Sequence, residues 1–144
     1  MIAVDTNLLV YAHRADAQFH GVARELVEAL AQGAAAWAIP WPCAHEFVAV
    51  VTNARIFKKP TPVETALRQL RALVSLPGVA LLAETDGYLE RLEEVALRAR
   101  SSGGAIHDAR IAAICLHHGV SELLSADRDL SRFPALRTRN PLMR

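Results

Sequence analysis

The stretch IAVDTNLLVY, residues 2–11, decides the fold class of this 144-residue chain. Its first three residues predict a short apolar strand, and the apolar side chains that follow Asp5 predict a short helix. A strand that passes directly into a helix is typical of the βαβ units of parallel sheets. Because such sheets bind ligands beyond the carboxyl ends of their strands, Asp5 is the first candidate functional residue.

The same alternation of short strands and helices continues along the chain. Apolar segments predict further strands at residues 37–39, 79–82, 122–125 and 136–138. Helical periodicity and end signals predict helices at residues 20–32, 43–53, 61–74, 85–100 and 105–118, with Thr85 and Asp86 capping the fourth of these. The pattern predicts an α/β fold with three layers, α/β/α, around a short central parallel sheet, as a single domain over residues 1–144.

Composition narrows the classes of function. The net charge is +1, so the chain is no polycation, and contact with nucleic acid would need a local basic patch. The chain's two lysines, Lys58 and Lys59, lie together near Arg55 and form the best candidate for such a patch. We interpret Cys43 and Cys115, each in an apolar segment, as reduced and buried thiols. With no signal-peptide pattern and no run long enough to span a bilayer, we expect a cytoplasmic protein with no membrane partner.

Four acidic residues stand in unusual settings. Asp5 and Asp127 each follow a predicted strand, where helix capping is the alternative interpretation. Glu46 and Asp108 lie on helices that are apolar almost all round, which predicts burial, and an Arg partner is the alternative for Glu46. Buried carboxylates need compensation. Without a matching set of buried bases, the four acids favour a Mg²⁺ or Mn²⁺ site that activates water for phosphodiester hydrolysis.

Four motifs in order resemble those of PIN-domain ribonucleases, and among them the VapC toxins of bacterial toxin–antitoxin pairs. They are residues 4–11, IPWPCAHEF at 39–47, IHDARIAA at 106–113 and LSADRDL at 124–130, and NPL at 140–142 resembles the usual ending. The resemblance implies that the catalytic and metal-binding residues are Asp5, Glu46, Asp108 and Asp127. Asp129 competes with Asp127 for the fourth role, and Asp127 is preferred.

The supporting residues are also implied by the resemblance. Thr6 or Asn7, together with Ser125, would fix the orientation of Asp5 without binding the metal themselves. Ser125 stands where threonine is usual in the family. Independently of the resemblance, the local clustering of basic residues makes Arg55, Lys58 and Lys59 the predicted RNA contacts, with a solvated loop as the alternative interpretation. The implied cofactor is Mg²⁺, with Mn²⁺ able to substitute.

The function implied is that of a metal-dependent endoribonuclease acting as the toxin of a type II toxin–antitoxin pair. Its expected partners are RNA, a cognate antitoxin whose helix lies beside residues 20–32, and a second copy of the chain in a homodimer. The alternatives are a housekeeping PIN-domain nuclease in RNA maturation and a non-catalytic RNA-binding domain of the same fold. A haloacid-dehalogenase-like phosphatase is disfavoured, because it needs an aspartate where this chain has Asn7.

Overall fold

Residues 1–143, which the computed structural model describes, form one parallel sheet flanked by helices; residue 144, included in the predicted domain, lies outside the described residues. The strands are β1 (Ile2–Val4), β2 (Trp37–Pro40), β3 (Val79–Leu82), β4 (Glu122–Leu124) and β5 (Thr138–Arg139). The helices are α1 (Thr6–His13), α2 (His20–Gln32), α3 (Trp41–Val51), α4 (Val63–Val74), α5 (Tyr88–Ala99) and α6 (Ala105–His117), with a 3₁₀ turn at Arg128–Arg132.

The strand order β3-β2-β1-β4-β5 determines where a site can form. The chain runs outward from β1 to β2 and β3, then returns to place β4 on the other side of β1. Because crossovers between parallel strands are right-handed, this reversal places α1–α4 on one face of the sheet and α5 and α6 on the other. The helix packing agrees, since α1 packs on α2 and α3, α3 packs on α4, and α5 packs on α6. The predicted three-layer architecture is confirmed, and a crevice opens at the carboxyl ends of β1 and β4.

The core lies between the sheet and the two helix layers. Its largest fully buried side chains include Trp37 on β2 and Phe47 on α3. Cys43 and Cys115 are both buried and free, as the sequence predicts. Burial raises the pKa of the Cys115 thiol to about 12, so this side chain behaves as a small apolar group. Among residues 1–143, no helix combines the length and apolar character needed to cross a membrane.

Several predicted boundaries differ from the structure by two or three residues. Helix α3 spans Trp41–Val51 rather than residues 43–53, and α4 begins at Val63 rather than at residue 61. The last strand is Thr138–Arg139 rather than residues 136–138. Leu136 lies before the strand, and its apolar side chain is buried in the core. Helix α5 begins at Tyr88, and its N-cap is Gly87 with a positive φ of 87° rather than Thr85 or Asp86. The Thr85 hydroxyl instead contacts His117 Nε2 at 2.9 Å, which removes it from the capping role.

Candidate metal centre

Asp5 joins the end of β1 to the start of α1. Its backbone N–H donates to the Leu124 carbonyl at 2.9 Å, and its Oδ1 caps α1 by accepting from the Thr6 N–H at 2.8 Å. Oδ2 accepts from the Ser125 hydroxyl at 2.6 Å, and the Cys43 thiol donates to Oδ1 at 3.4 Å. Asp5 therefore caps α1, as the alternative interpretation predicts. Capping does not account for its other contacts, because the residue is only 5% exposed and its carboxylate accepts hydrogen bonds from three segments of the chain.

Ser125 links the two strand ends of the crevice. Its Oγ accepts from the Asp127 N–H at 2.9 Å and from Asn7 Nδ2 at 3.5 Å, while it donates to Asp5. Asn7 Oδ1 accepts from the Ala126 N–H at 3.2 Å. The three predicted supporting residues thus contact Asp5, one another or the β4 end, and they orient both Asp5 and the backbone at Asp127.

Glu46 lies on α3 opposite Asp5, but the prediction that it is buried is wrong. The residue is exposed, because the buried stripe of α3 consists of Cys43, Ala44, Phe47 and Val51. Its Oε2 accepts from the Thr6 hydroxyl at 3.2 Å. Although most of the residue is open to solvent, partial desolvation of the carboxyl group raises the pKa of Glu46, and the charges of Asp5 and Asp127 add to the rise.

The remaining acids meet from two other elements. Asp108 is half-buried on the first turn of α6, and Asp127 caps the 3₁₀ turn by accepting from the Asp129 N–H at 2.8 Å. Carboxylate oxygens of Asp108, Asp127 and Asp129 lie within 4.8 Å of one another. Desolvation raises the pKa of Asp108, and the charges of four further acids contribute: Asp127, Asp129, Asp5 and Glu46. The five carboxyl groups therefore form one electrostatic cluster in which negative charge is undercompensated.

The acids lie in the lining of a cleft of about 280 Å³. The four predicted ligands all reach this cleft, whereas Asp129 is not among its lining residues. Six apolar or aromatic side chains also line this cleft: Val10, Tyr11, Val50, Ile56, Phe57 and Ile111. Clustered carboxylate oxygens are the donor set that Mg²⁺ and Mn²⁺ prefer, so the residues present fit such an ion.

The basic patch adjoins this cleft. Arg55, Lys58 and Lys59 are exposed in the connection between α3 and α4, which also supplies Ile56 and Phe57 to the cleft wall. Sequence reasoning missed Cys43 as a donor to Asp5. The signal was its position three residues before Glu46, which places both on neighbouring parts of α3.

The cleft continues past the acids into a second cavity of about 540 Å³. Glu46 and Asp108 line both spaces. The far side of the second cavity is formed by His45, His107 and Arg110. His45 and His107 each directly precede one of the acids in the chain, and the structure places both at the rim of the acidic cluster.

The family model for the PIN domain matches residues 2–136, and the chain belongs to the PIN-domain family. Within that family it is similar to Ribonuclease VapC43 of Mycobacterium tuberculosis, with 37% identity over 142 residues that cover 99% of this chain and 96% of the relative. It is also similar to Ribonuclease VapC48 of the same species, with 31% identity over 137 residues, covering 95% and 94% of the two chains.

Solved structures share the fold at lower identity. VapBC2 from Rickettsia felis, solved bound to a DNA fragment from its promoter, matches with a TM-score of 0.71 and 19% identity, covering 97% of this chain and 98% of that one. VapC20 of Mycobacterium tuberculosis, described as a Sarcin-Ricin loop cleaving toxin, matches with a TM-score of 0.65 and 20% identity, covering 91% and 93%.

Proposed function

We propose that this protein is a metal-dependent endoribonuclease and the toxin of a type II toxin–antitoxin pair. The observation that carries the proposal is the convergence of Asp5, Glu46, Asp108 and Asp127 on one cleft at the crevice between β1 and β4. RNA is proposed as the substrate because the curated relatives, similar over nearly the whole chain, are named ribonucleases.

Mg²⁺, with Mn²⁺ able to substitute, would be held by those four carboxylates. When bound, such an ion activates water and stabilises the developing charge of a phosphodiester under attack. Asp5 is held ready by its hydrogen bonds to Thr6 and Ser125, so its carboxylate needs no reorganisation. Desolvation, together with the charges of neighbouring acids, raises the pKa values of Glu46 and Asp108, and a bound cation would favour the charged form of both carboxyl groups.

Arg55, Lys58 and Lys59 would guide the RNA backbone toward the acids. All three are exposed, and no salt bridge found within residues 1–143 involves them. We expect Lys58→Ala combined with Lys59→Ala to weaken RNA binding and to flatten the salt dependence by about one unit of slope per lost contact. Binding measured at several salt concentrations on an Asp5→Asn background tests this; an unchanged slope would assign the segment to a solvated loop.

The partners proposed are a cognate antitoxin and a second copy of the chain. Several solved neighbours of this fold are described as VapBC or FitAB assemblies, which supports pairing with an antitoxin. Beside α2, where the antitoxin helix is expected, the structure has a groove of about 200 Å³ whose lining includes Val27 and Leu73. Light scattering of the purified chain and co-purification with the product of the neighbouring reading frame test the two partners separately.

A housekeeping nuclease and a non-catalytic RNA-binding domain are the competing functions. Retention of all four acids in one cleft favours catalysis over binding alone. The decisive experiment incubates total cellular RNA with the wild type in Mg²⁺, the wild type in excess chelator, and Asp5→Asn in Mg²⁺. We expect discrete cleavage only in the first reaction, and full cleavage in chelator would refute the metal mechanism. Growth arrest on expression, relieved by the neighbouring gene, separates a toxin from a housekeeping enzyme.

A further inference from the structure

The connection between α3 and α4 is a compact, hydrogen-bonded turn rather than a loose loop. The Asn53 carbonyl accepts from the N–H groups of Ile56 at 3.1 Å and Phe57 at 3.0 Å, and Asn53 Oδ1 accepts from the Arg55 N–H at 2.9 Å. This turn holds Ile56 and Phe57 against the cleft. Ile56 is 55% exposed, so its position is not explained by burial in the core.

Arg14 anchors this turn from the end of α1. Its side chain is only 11% exposed, and its guanidinium donates to the Lys59 carbonyl at 2.8 Å and to the Thr61 hydroxyl at 3.2 Å. The same group forms a two-pronged contact with Asp16, at 2.9 and 2.7 Å, and lies 4.2 Å from the centroid of the Phe57 ring. Phe57 and the rest of this turn are therefore fixed relative to α1, the helix that Asp5 caps.

Binding of RNA to this cleft needs attractive contacts beyond the acids. Before a cation binds, the clustered carboxylates repel a phosphate backbone. The apolar wall of the cleft supplies the complementary chemistry, and it consists of two aromatic rings and two aliphatic side chains: Tyr11, Phe57, Val50 and Ile56. Nucleobases stack on aromatic side chains with little dependence on sequence, and enzymes that bind an unstacked base hold it between aromatic and apolar side chains.

We infer that this apolar wall binds a nucleobase of the RNA next to the phosphate that the acids receive. The inference rests on the proposed nuclease function and adds to it the residues that seat the substrate. A base is favoured over a protein side chain because the wall shares its cleft with the acids and its own turn carries Arg55 and Lys58, which suit the phosphates on either side.

The test compares two probes of equal charge. One is a fluorescein-labelled RNA of about 12 nucleotides and mixed sequence, and the other is the matching ribose-phosphate oligomer without bases. Their dissociation constants are measured by fluorescence anisotropy for Asp5→Asn alone and with Ile56→Ala, Phe57→Leu or Leu97→Ala added. Leu97 is a matched control, since it is 77% exposed on α5 and lines no part of the cleft.

We expect Ile56→Ala to weaken binding of the base-containing RNA about fivefold, at the low end of the stacking range, and Phe57→Leu to weaken it at least as much. Both variants should bind the base-free oligomer as the parent does, and Leu97→Ala should change neither affinity. An equal loss on both probes, or no loss on either, would overturn the inference. So would a loss confined to antitoxin binding, which would make the wall a protein-docking surface.

The outcome also separates this inference from the nuclease proposal. If the wild type cleaves RNA while Ile56→Ala binds both probes normally, the nuclease proposal stands and the base-binding wall is wrong. If base-dependent binding is lost in Ile56→Ala but the wild type cleaves no RNA, the wall stands and the nuclease proposal is wrong.

Discussion

The two halves of the acidic cluster are built in opposite ways. Asp5 is buried and accepts hydrogen bonds from Thr6, Ser125 and Cys43, so its carboxylate has one orientation before any ligand arrives. Asp108 and Asp127 lie on separate elements beside the exposed Asp129, and desolvation together with the charges of the neighbouring acids raises the pKa of Asp108. The fold thus fixes the Asp5 carboxylate by hydrogen bonding and leaves the other carboxylates close together. A shared cation would reduce the electrostatic repulsion among them.

The largest predicted effect separates Asp127 from Asp129. Asp127 lines the cleft with Asp5, whereas Asp129 reaches only the outer side of the cluster. We expect Asp127→Asn to lower kcat/KM for RNA cleavage at least about a thousandfold, since a lost ligand removes several kcal/mol of charge stabilisation. Asp129→Asn should lower it less than about tenfold. Steady-state cleavage assays on both variants measure the ratio, and equal losses would place Asp129 among the ligands.

The next effect tests the rigid half through Ser125. Ser125→Ala removes the donor to Asp5 Oδ2 and the acceptor for the Asp127 N–H. Loss of such supporting contacts typically costs about 10- to 100-fold in metal affinity or activity. Ser125→Thr keeps the hydroxyl and should retain activity within about threefold, by the same argument. Wild-type activity in Ser125→Ala would show that Asp5 needs no such support.

The smallest effect tests the crowded half through stability. Mg²⁺ at about one hundred times its dissociation constant should stabilise the wild type by about 2.7 kcal/mol. Asp108→Asn removes one repelling carboxylate, so its metal-free form should gain stability. If its affinity falls tenfold, the same Mg²⁺ concentration would add only about 1.4 kcal/mol.

Thermal unfolding with and without Mg²⁺ measures the stabilisation by the ion in the wild type and in Asp108→Asn. Glu93→Gln is the control, because this exposed acid on α5 lies outside the cluster and should keep the full Mg²⁺ effect. A wild-type melting temperature that does not respond to saturating Mg²⁺ would contradict a shared metal site.

Local sequence signals predicted the strand-end acids better than the helical ones. Asp5 follows β1 directly, so its place at the crevice follows from the βαβ pattern alone. The burial of Glu46 was mispredicted because apolar residues on α3 line an open cleft as well as the core. Hydrophobicity does not distinguish these two environments.

Contacts between segments far apart in the chain could not be predicted from the sequence pattern. The anchoring of residues 57–61 by Arg14, and the thiol contact of Cys43 with Asp5, join positions 38 or more apart. Neither produces a periodic pattern. The approach of Asp129 to Asp108 likewise depends on how the 3₁₀ turn packs near α6, which no local signal encodes.

The proposed metal mechanism requires that the fixed and crowded halves of the cluster hold a shared divalent ion. The direct measurement is a calorimetric titration of Mg²⁺ into the metal-free wild type, Asp5→Asn and Asp108→Asn. We predict saturable binding to the wild type and at least about tenfold weaker binding to each variant, because each removes a ligand from a different half. Undiminished binding in either variant, or no binding to the wild type, would contradict the claim.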